Sequence, residues 1–206
     1  MYNIFSIYNK ILDEPRYIIY NAYNKSKEVT MSEIFLCSDH HFGHANIIKF
    51  EDEAGIRHRP FESLTEMHET IIHRHNSVVT KRDVVYFVGD VSFNKKYLPL
   101  LNEMNGKHKY LVKGNHDCFG ASEYLKYFND IYGVIKKHDV VITHVPIHPD
   151  SLDRWKLNCH GHLHNDKILD PNGLEDPRYY NVSMENIDYR PISIDEIKCI
   201  RSKIFA

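Results

Sequence analysis

The chain has 206 residues, 42% hydrophobic and 26% charged, with a formal net charge of −2. That length suits one domain with its own core, and the balance is that of an ordinary soluble globule. The near-neutral charge gives no broad basic field for nucleic acid or an anionic membrane surface, and no apolar run is long enough to span a bilayer. Four cysteines, Cys37, Cys118, Cys159 and Cys199, are scattered without a CxxC pair. That usage reads as a reduced, cytoplasmic protein.

Residues 1–30 are rich in Tyr, Asn and Ile. They lack the charged start, apolar stretch and cleavage site of a signal peptide. They read as an N-terminal extension packing partly on the domain through Ile11, Leu12, Ile18 and Ile19. The domain proper takes residues 31–206, and Met31 is an alternative start. Short β-branched apolar runs read as buried strands. The first, Ile34–Cys37, leads into Asp39-His40-His41. Alternate residues at a strand end share a face, so Asp39 and His41 are expected to converge while His40 faces elsewhere. After a loop to Pro60, Ser63-Leu64-Thr65-Glu66 has the form of a capping box. Leu64, Met67, Ile71, Ile72, His75 and Val78 then recur at helical spacing.

A second strand, Val84–Val88, runs into Gly89-Asp90, and Tyr97–Met104 predicts a helix ending at the Asn105-Gly106 turn. Tyr110–Val112 runs into Gly114-Asn115-His116-Asp117, and Ser122 is expected to cap a short helix through Leu125 and Phe128. Ile131–Lys136 reads as a strand, Asp139 as a turn, and Val140–Ile142 as a strand running into His144. Asn158–His160, before Gly161-His162-Leu163-His164, and Tyr179–Val182 suggest a second sheet. Ser193-Ile194-Asp195-Glu196 is a second capping-box pattern, with Ile197, Ile200 and Ile204 lining one face of the closing helix. Strands alternating with helices make the chain α/β.

Four times, then, a candidate ligand follows the carboxyl end of a buried strand, where open α/β sheets place ligands. The five blocks supply Asp39, His41, Asp90, Asn115, His144, His162 and His164. Two Asp, four His and one Asn are enough for two adjacent divalent cations sharing a carboxylate. Mixed imidazole and oxygen donors suit manganese first, with Fe, Zn, Ni or Co as alternatives, better than calcium. Gly89, Gly114 and Gly161 stand where a backbone must turn sharply or pass close to an ion.

Taken together, the blocks D-x-H, G-D, G-N-H-D, H and G-H-x-H resemble the signature of calcineurin-like metallophosphoesterases, from about Ile34 to the C-terminus. Ser38–Ile48, Arg59-Pro60-Phe61, Thr143–Pro149 and Asn181-Val182-Ser183 resemble a subgroup common in phages and bacteria. The resemblance implies a two-sheet β-sandwich flanked by helices, in four layers, and a dinuclear phosphoesterase working in the cytoplasm of a bacterium or a phage-infected host. It implies one metal on Asp39, His41, Asp90 and His164, and another on Asp90, Asn115, His144 and His162, with Asp90 bridging. The expected reaction is hydrolysis of a nucleotide or other small phosphoester, most readily a diester, by water activated between the ions.

His116 follows a metal ligand, so it can protonate the leaving oxygen, with Asp117 as its orienter; a structural ring is the alternative. Arg59 can meet a substrate phosphate bidentately or be a solvated loop residue. His44 can line the pocket, and Asn115 can touch substrate as well as metal. His148, Asn181 and Arg154-Trp155 rank lower. Other functions to weigh are a phosphomonoesterase or protein phosphatase, a nuclease, and a non-catalytic scaffold of the same fold. No extended protein-phosphatase block follows Gly89-Asp90, and no basic groove suggests a nuclease. The seven ligands and His116 favour catalysis over a scaffold.

Overall fold

The computed structural model describes residues 31–137, 139–152 and 154–205. The expected extension over residues 1–30, with its apolar contacts, lies outside the described residues.

Four apolar segments build one half of the fold. β1 (Ile34–Cys37), β2 (Val84–Phe87) and β3 (His108–Val112) pair in parallel, and β4 (Asp130–Tyr132) continues them at one edge. β9 (Ile192–Ser193) closes the other edge antiparallel to β1, giving the order β4-β3-β2-β1-β9. The second sheet has the order β5-β6-β7-β8, from β5 (Ile135–Lys137), β6 (Val140–Ile142), β7 (Leu157–His160) and β8 (Tyr179–Asn181). Here β5 and β6 form an antiparallel pair, while β6, β7 and β8 run parallel.

The two sheets meet along one seam. Ser38, just beyond β1, bridges in parallel to Ser183, just beyond β8. Its N–H donates to the Val182 carbonyl at 2.9 Å, and its carbonyl accepts from Met184 N–H at 3.1 Å. One core cluster joins the two sheets, taking in Leu36 and Tyr86 from the first and Val140, Ile142, Leu157 and Cys159 from the second. Lys137 Nζ of β5 lies 3.4 Å from the Tyr86 hydroxyl across the gap. Phe35, Val85 and Phe87 lie on the opposite face, where His75 of the long helix packs on Phe87. Alternation along β6 sends Val141 to the outer face, where it joins Leu152 and Tyr179 under Ile147, Trp155 and Ile168. The result is a mixed α/β fold of two sheets flanked by helices, the architecture the resemblance implied.

The expected single strand over Ile131–Lys136 is in fact two. The chain leaves the first sheet after Tyr132 and joins the second at Ile135, with Gly133 in the link. The predicted helix at Tyr97–Met104 is a 3₁₀ helix over Lys95–Asn102. Pro99 inside it offers no N–H for an α-helical ladder.

Helix α1 (Leu64–Val78) starts as expected, Ser63 Oγ accepting from Glu66 N–H at 3.1 Å. The return half of the box differs, since the Glu66 carboxylate accepts from Glu62 N–H and not from Ser63. Helix α2 covers only Ala121–Tyr124, with Gly120 and not Ser122 at its N-cap. Helix α3 (Ile194–Ile200) is capped by Ser193 and buries Ile194 and Ile197, but Ile200 is half exposed, off the expected face. The helix breaks at Arg201, and α4 (Ser202–Phe205) follows. Among the described residues, no helix is long and apolar enough to cross a membrane.

Candidate metal centre

The ends of β1, β2, β3, β6, β7 and β8 all point at one place. Backbone hydrogen bonds knit their outgoing turns together: Asp39 N–H donates to Gly89 O, His41 N–H to Asp90 O, and Gly161 N–H to His144 O, each at 3.0 Å. Expected candidates therefore arrive from both sheets at the seam.

Two groups of side chains gather there. Asp39, His41 and His164 present ligand atoms within 4.8 Å of one another, and so do Asp90, His144 and His162. Asp90 Oδ2 stands between the groups, 3.8 Å from His41 Nε2 and 3.3 Å from His144 Nε2. Asn115 Oδ1 joins the second group, 2.9 Å from His144 Nε2 and 3.0 Å from His162 Nδ1.

Each carboxylate is held by one oxygen and presents the other. Asp39 Oδ2 accepts from His162 N–H at 3.0 Å and lies 2.9 Å from Ser183 Oγ. Asp39 Oδ1 is buried without a hydrogen-bond partner, as is His41 Nε2, which lies 3.7 Å from it. Asp90 Oδ1 accepts from His116 N–H at 2.8 Å, leaving Oδ2 for the cluster. Buried, partnerless donors are costly unless something satisfies them, and a pair made of carboxylate oxygen and imidazole nitrogen is what a cation satisfies. The residues present thus fit two divalent ions.

The electrostatics agree. Burial alone would raise the Asp39 carboxyl, but the nearby rings of His41, His144 and His164 hold it well below the usual carboxylate range. Burial pulls His144 down, yet Asp90 and Asp39 push it up to about 9. The cluster draws positive charge to itself.

Convergence arises differently from the strand alternation expected. β1 ends at Cys37, and Asp39 and His41 both sit in the left-handed region at φ 59° and 51°. Asp90, His162 and His164 do likewise, at 53°, 70° and 49°. Left-handed turns, not pleating, aim these side chains. Close packing enforces the glycine at 161, where a Cβ would lie 2.0 Å from Ser38 Oγ and 2.4 Å from Asp39 Oδ2.

The ring nitrogens are sorted by their outer partners. His144 Nδ1–H donates to Val88 O at 2.8 Å, and His164 Nδ1 bonds Glu185 Oε1 at 2.9 Å. Such partners fix a histidine's tautomer and leave the other nitrogen for a metal. Glu185 was not anticipated. It is almost wholly buried, and Arg59 and His164 bring its carboxyl down to about 2 against the upward pull of burial. The Asn181-Val182-Ser183 run leaves the end of β8 as the ligand blocks leave their strands, and a carboxylate two residues beyond it is the available signal.

Arg59 is corrected on both expected readings. It is neither solvated nor open to substrate, because its side chain is fully buried. Nε bonds Glu185 Oε1 at 2.7 Å, and its other nitrogens donate to the carbonyls of Asp39 (2.5 Å) and His40 (3.1 Å). Arg59 therefore ties the first ligand turn to the orienter of the last. Asp117 is also corrected. Its carboxylate accepts from the N–H groups of Asp90, Val91 and Gly114 at 2.9, 3.1 and 2.8 Å. It locks two ligand loops together, and none of its hydrogen bonds reaches the His116 ring.

His116 is exposed at the rim, 5.6 Å from His41 and 5.0 Å from Phe93 between ring centroids. His44 stacks on Phe93 beside it. His40, set aside on phase, is fully buried against Phe42 and Phe87. Asn181 ties the turn after His164, its Nδ2 donating to the His164 and Asp166 carbonyls at 2.9 and 3.1 Å. His148 is exposed near Asp150, away from the cluster's contacts, and Trp155 packs on the outer face of the second sheet. A cavity of about 280 Å³ opens beside His162 and His164, lined also by Ile47, His58, Asn165 and Asp166.

No protein-family model matches the chain. It is similar to the uncharacterized protein MJ1445 of Methanocaldococcus jannaschii, with 36% identity over 177 residues covering 82% of this chain and 91% of that protein. Among solved structures it is similar to the protein of unknown function AQ665 from Aquifex aeolicus, with a TM-score of 0.59 and 26% identity over 82% of this chain and all of that one. A conserved uncharacterized protein of Streptococcus pneumoniae TIGR4, described as a predicted phosphoesterase, is more distant, with a TM-score of 0.34 and 16% identity over 76% of this chain and 73% of that one.

Proposed function

We propose that this chain, which belongs to the same family as MJ1445 of Methanocaldococcus jannaschii, is a dinuclear-metal phosphoesterase acting on small phosphodiesters, nucleotides among them. One observation carries the reading: two ligand groups meet at a single carboxylate, Asp90 Oδ2, which faces His41 Nε2 and His144 Nε2 at 3.8 and 3.3 Å. In this reading Asp39, His41, Asp90 and His164 hold one ion, and Asp90, Asn115, His144 and His162 hold the other. Two such ions, manganese by the donor set, would neutralise phosphoryl charge and activate water for in-line attack.

The chain's own residues supply the rest. Asp117 and the Asp90 backbone fix the β2 and β3 turns against each other, so the ligands keep their spacing during turnover. Attack forms the water-oxygen bond to phosphorus as the bond to the leaving alcohol breaks. His116, at the rim and free of the ligand set, passes a proton to the departing oxygen, help worth roughly 10²–10⁴-fold. Diesters are preferred in this reading because the centre has two open flanks, the aromatic rim by His44 and the cavity by His164, one for each substituent.

The test is metal analysis after loading with Mn²⁺, alongside hydrolysis of bis-p-nitrophenyl phosphate and p-nitrophenyl phosphate. Two ions per chain and diester turnover that chelator abolishes are expected, and Asp90→Asn should lose both. Monoester preference would make the protein a phosphatase. Two ions with no turnover on either ester would move the reading to a scaffold, and failure to bind metal would end it.

A further inference from the structure

Four rings border the centre on the side of the Asp39–His41 turn. His44 and Phe93 stack nearly parallel, with centroids 4.2 Å apart at 11°. Phe50 meets His44 edge-on at 5.8 Å, and His116 lies 5.0 Å from Phe93. The row reaches a proposed ligand, since the His41 ring is 5.6 Å from His44, 5.6 Å from His116 and 6.2 Å from Phe93.

This row is not core. Phe93 keeps 44% of its surface in water and Phe50 keeps 48%. Apolar surface left exposed forgoes roughly 25 cal/mol for each Å² it could have buried. The chain is buried through Val91 and Ser92 and comes to the surface at Phe93, the one ring in the exposed stretch Phe93–Lys96. The stacked His44 ring covers Phe93 and fixes its orientation, so a ligand ring meeting Phe93 has little side-chain freedom left to freeze.

Resting on the phosphoesterase reading, we propose that Phe93, backed by His44, is a stacking platform for a planar ring on the substrate, so that the preferred esters carry a nucleobase. Every base offers a π face, and stacking needs no hydrogen-bond pattern. The platform therefore selects ring-bearing esters over ringless ones without choosing among the bases. A ring seated on Phe93 places its sugar and phosphate toward His41 and His116, where the proton is delivered.

The experiment uses the full metal-loaded chain with adenosine 5′-monophosphate and ribose 5-phosphate as probes, which share sugar and phosphate and differ in the base. Calorimetry should find the adenosine probe bound roughly tenfold more tightly, in line with base–aromatic stacking elsewhere. Phe93→Leu should bring the two affinities together, while Phe93→Tyr keeps the preference. His44→Leu, which removes the backing ring, should weaken the preference in a chain whose Phe93 is intact. Equal affinity of the wild type for both probes would overturn the platform and leave the phosphoesterase reading standing. Binding of neither probe would count against that reading and the platform with it.

Discussion

Replacing Arg59 with Met keeps the length and apolar stem of the side chain and removes only the guanidinium. The wild-type group is fully buried, pairs with Glu185 at 2.7 Å and donates to two carbonyls of the first ligand turn. After the change, Glu185 keeps His164 as its partner but loses its permanent counter-charge, and two carbonyls lose charged donors. Breaking one side of a buried ion pair costs about 3–5 kcal/mol, because the remaining charge stays out of water. For a domain of this size that lowers the unfolding temperature by about 10 °C. The assay is urea and thermal unfolding of chelator-treated protein followed by circular dichroism, so that metal affinity does not enter. The loss should persist at high salt, since a buried pair is little screened. Arg59→Met combined with Glu185→Leu should recover part of it, because the orphaned carboxylate is then gone. A loss below about 1 kcal/mol for Arg59→Met would refute the strut, that being the range of a solvated pair.

Glu185→Gln keeps the volume but removes the charge on His164 Nδ1–H; metal affinity should fall about 10–100-fold, one ion being lost before the other in a titration. Gly161→Ala drives a Cβ into Ser38 and Asp39 and should weaken metal binding by a similar factor in a protein that still folds; an unchanged isotherm would show that the turn can yield. His116→Ala should retain both ions and lose about 10²–10⁴ in rate, most on poor leaving groups, and equal losses across leaving groups would argue against proton donation. Burial holds His75 near a pKa of about 4, from an ordinary 6.5, with Nε2–H donating to Asn105 O. The neutral native ring contributes stability that is complete above pH 6.5 and is lost as pH falls through 4. That loss is on the order of 3 kcal/mol. His75→Gln should flatten the slope of stability between those pH values relative to wild type, and an unchanged slope would refute the assignment.

The strands were legible because short β-branched runs have few other uses. Ser63 and Ser193 were legible because a hydroxyl before an acidic first turn satisfies backbone donors locally. Features set by distant contacts were not. Ile131–Lys136 is a run of strand-forming residues interrupted only by Gly133, and tertiary packing moves its second half to the other sheet. Among the site residues, Asp39, His41, His162 and His164 announced themselves by residue type and spacing, but their left-handed backbone did not, since neither Asp nor His requires it. Arg59 read as a loop arginine because no pattern in its neighbourhood reports that Glu185, 126 positions later, comes to meet it. The supporting residues escape a reading of ligand types because their chemistry is ordinary and only their partners are special.

Among the described residues, five of the eight non-glycine residues with positive φ are proposed ligands. Each such residue costs about 1–3 kcal/mol and persists only where its surroundings over-determine it. Here hydrogen-bonded turns, the Asp117 clamp and the Arg59 strut supply that constraint from the chain itself. The geometry of the centre is therefore written into contacts of the polypeptide and not only into its contents. A small zinc module folds when its metal binds; this chain should fold first and load afterwards. Ions can then be exchanged in the native state, and discrimination among them falls to cavity size and donor hardness. The occupant in a living cell would follow the local supply of metal, so one polypeptide could work as a manganese enzyme in one growth condition and an iron enzyme in another.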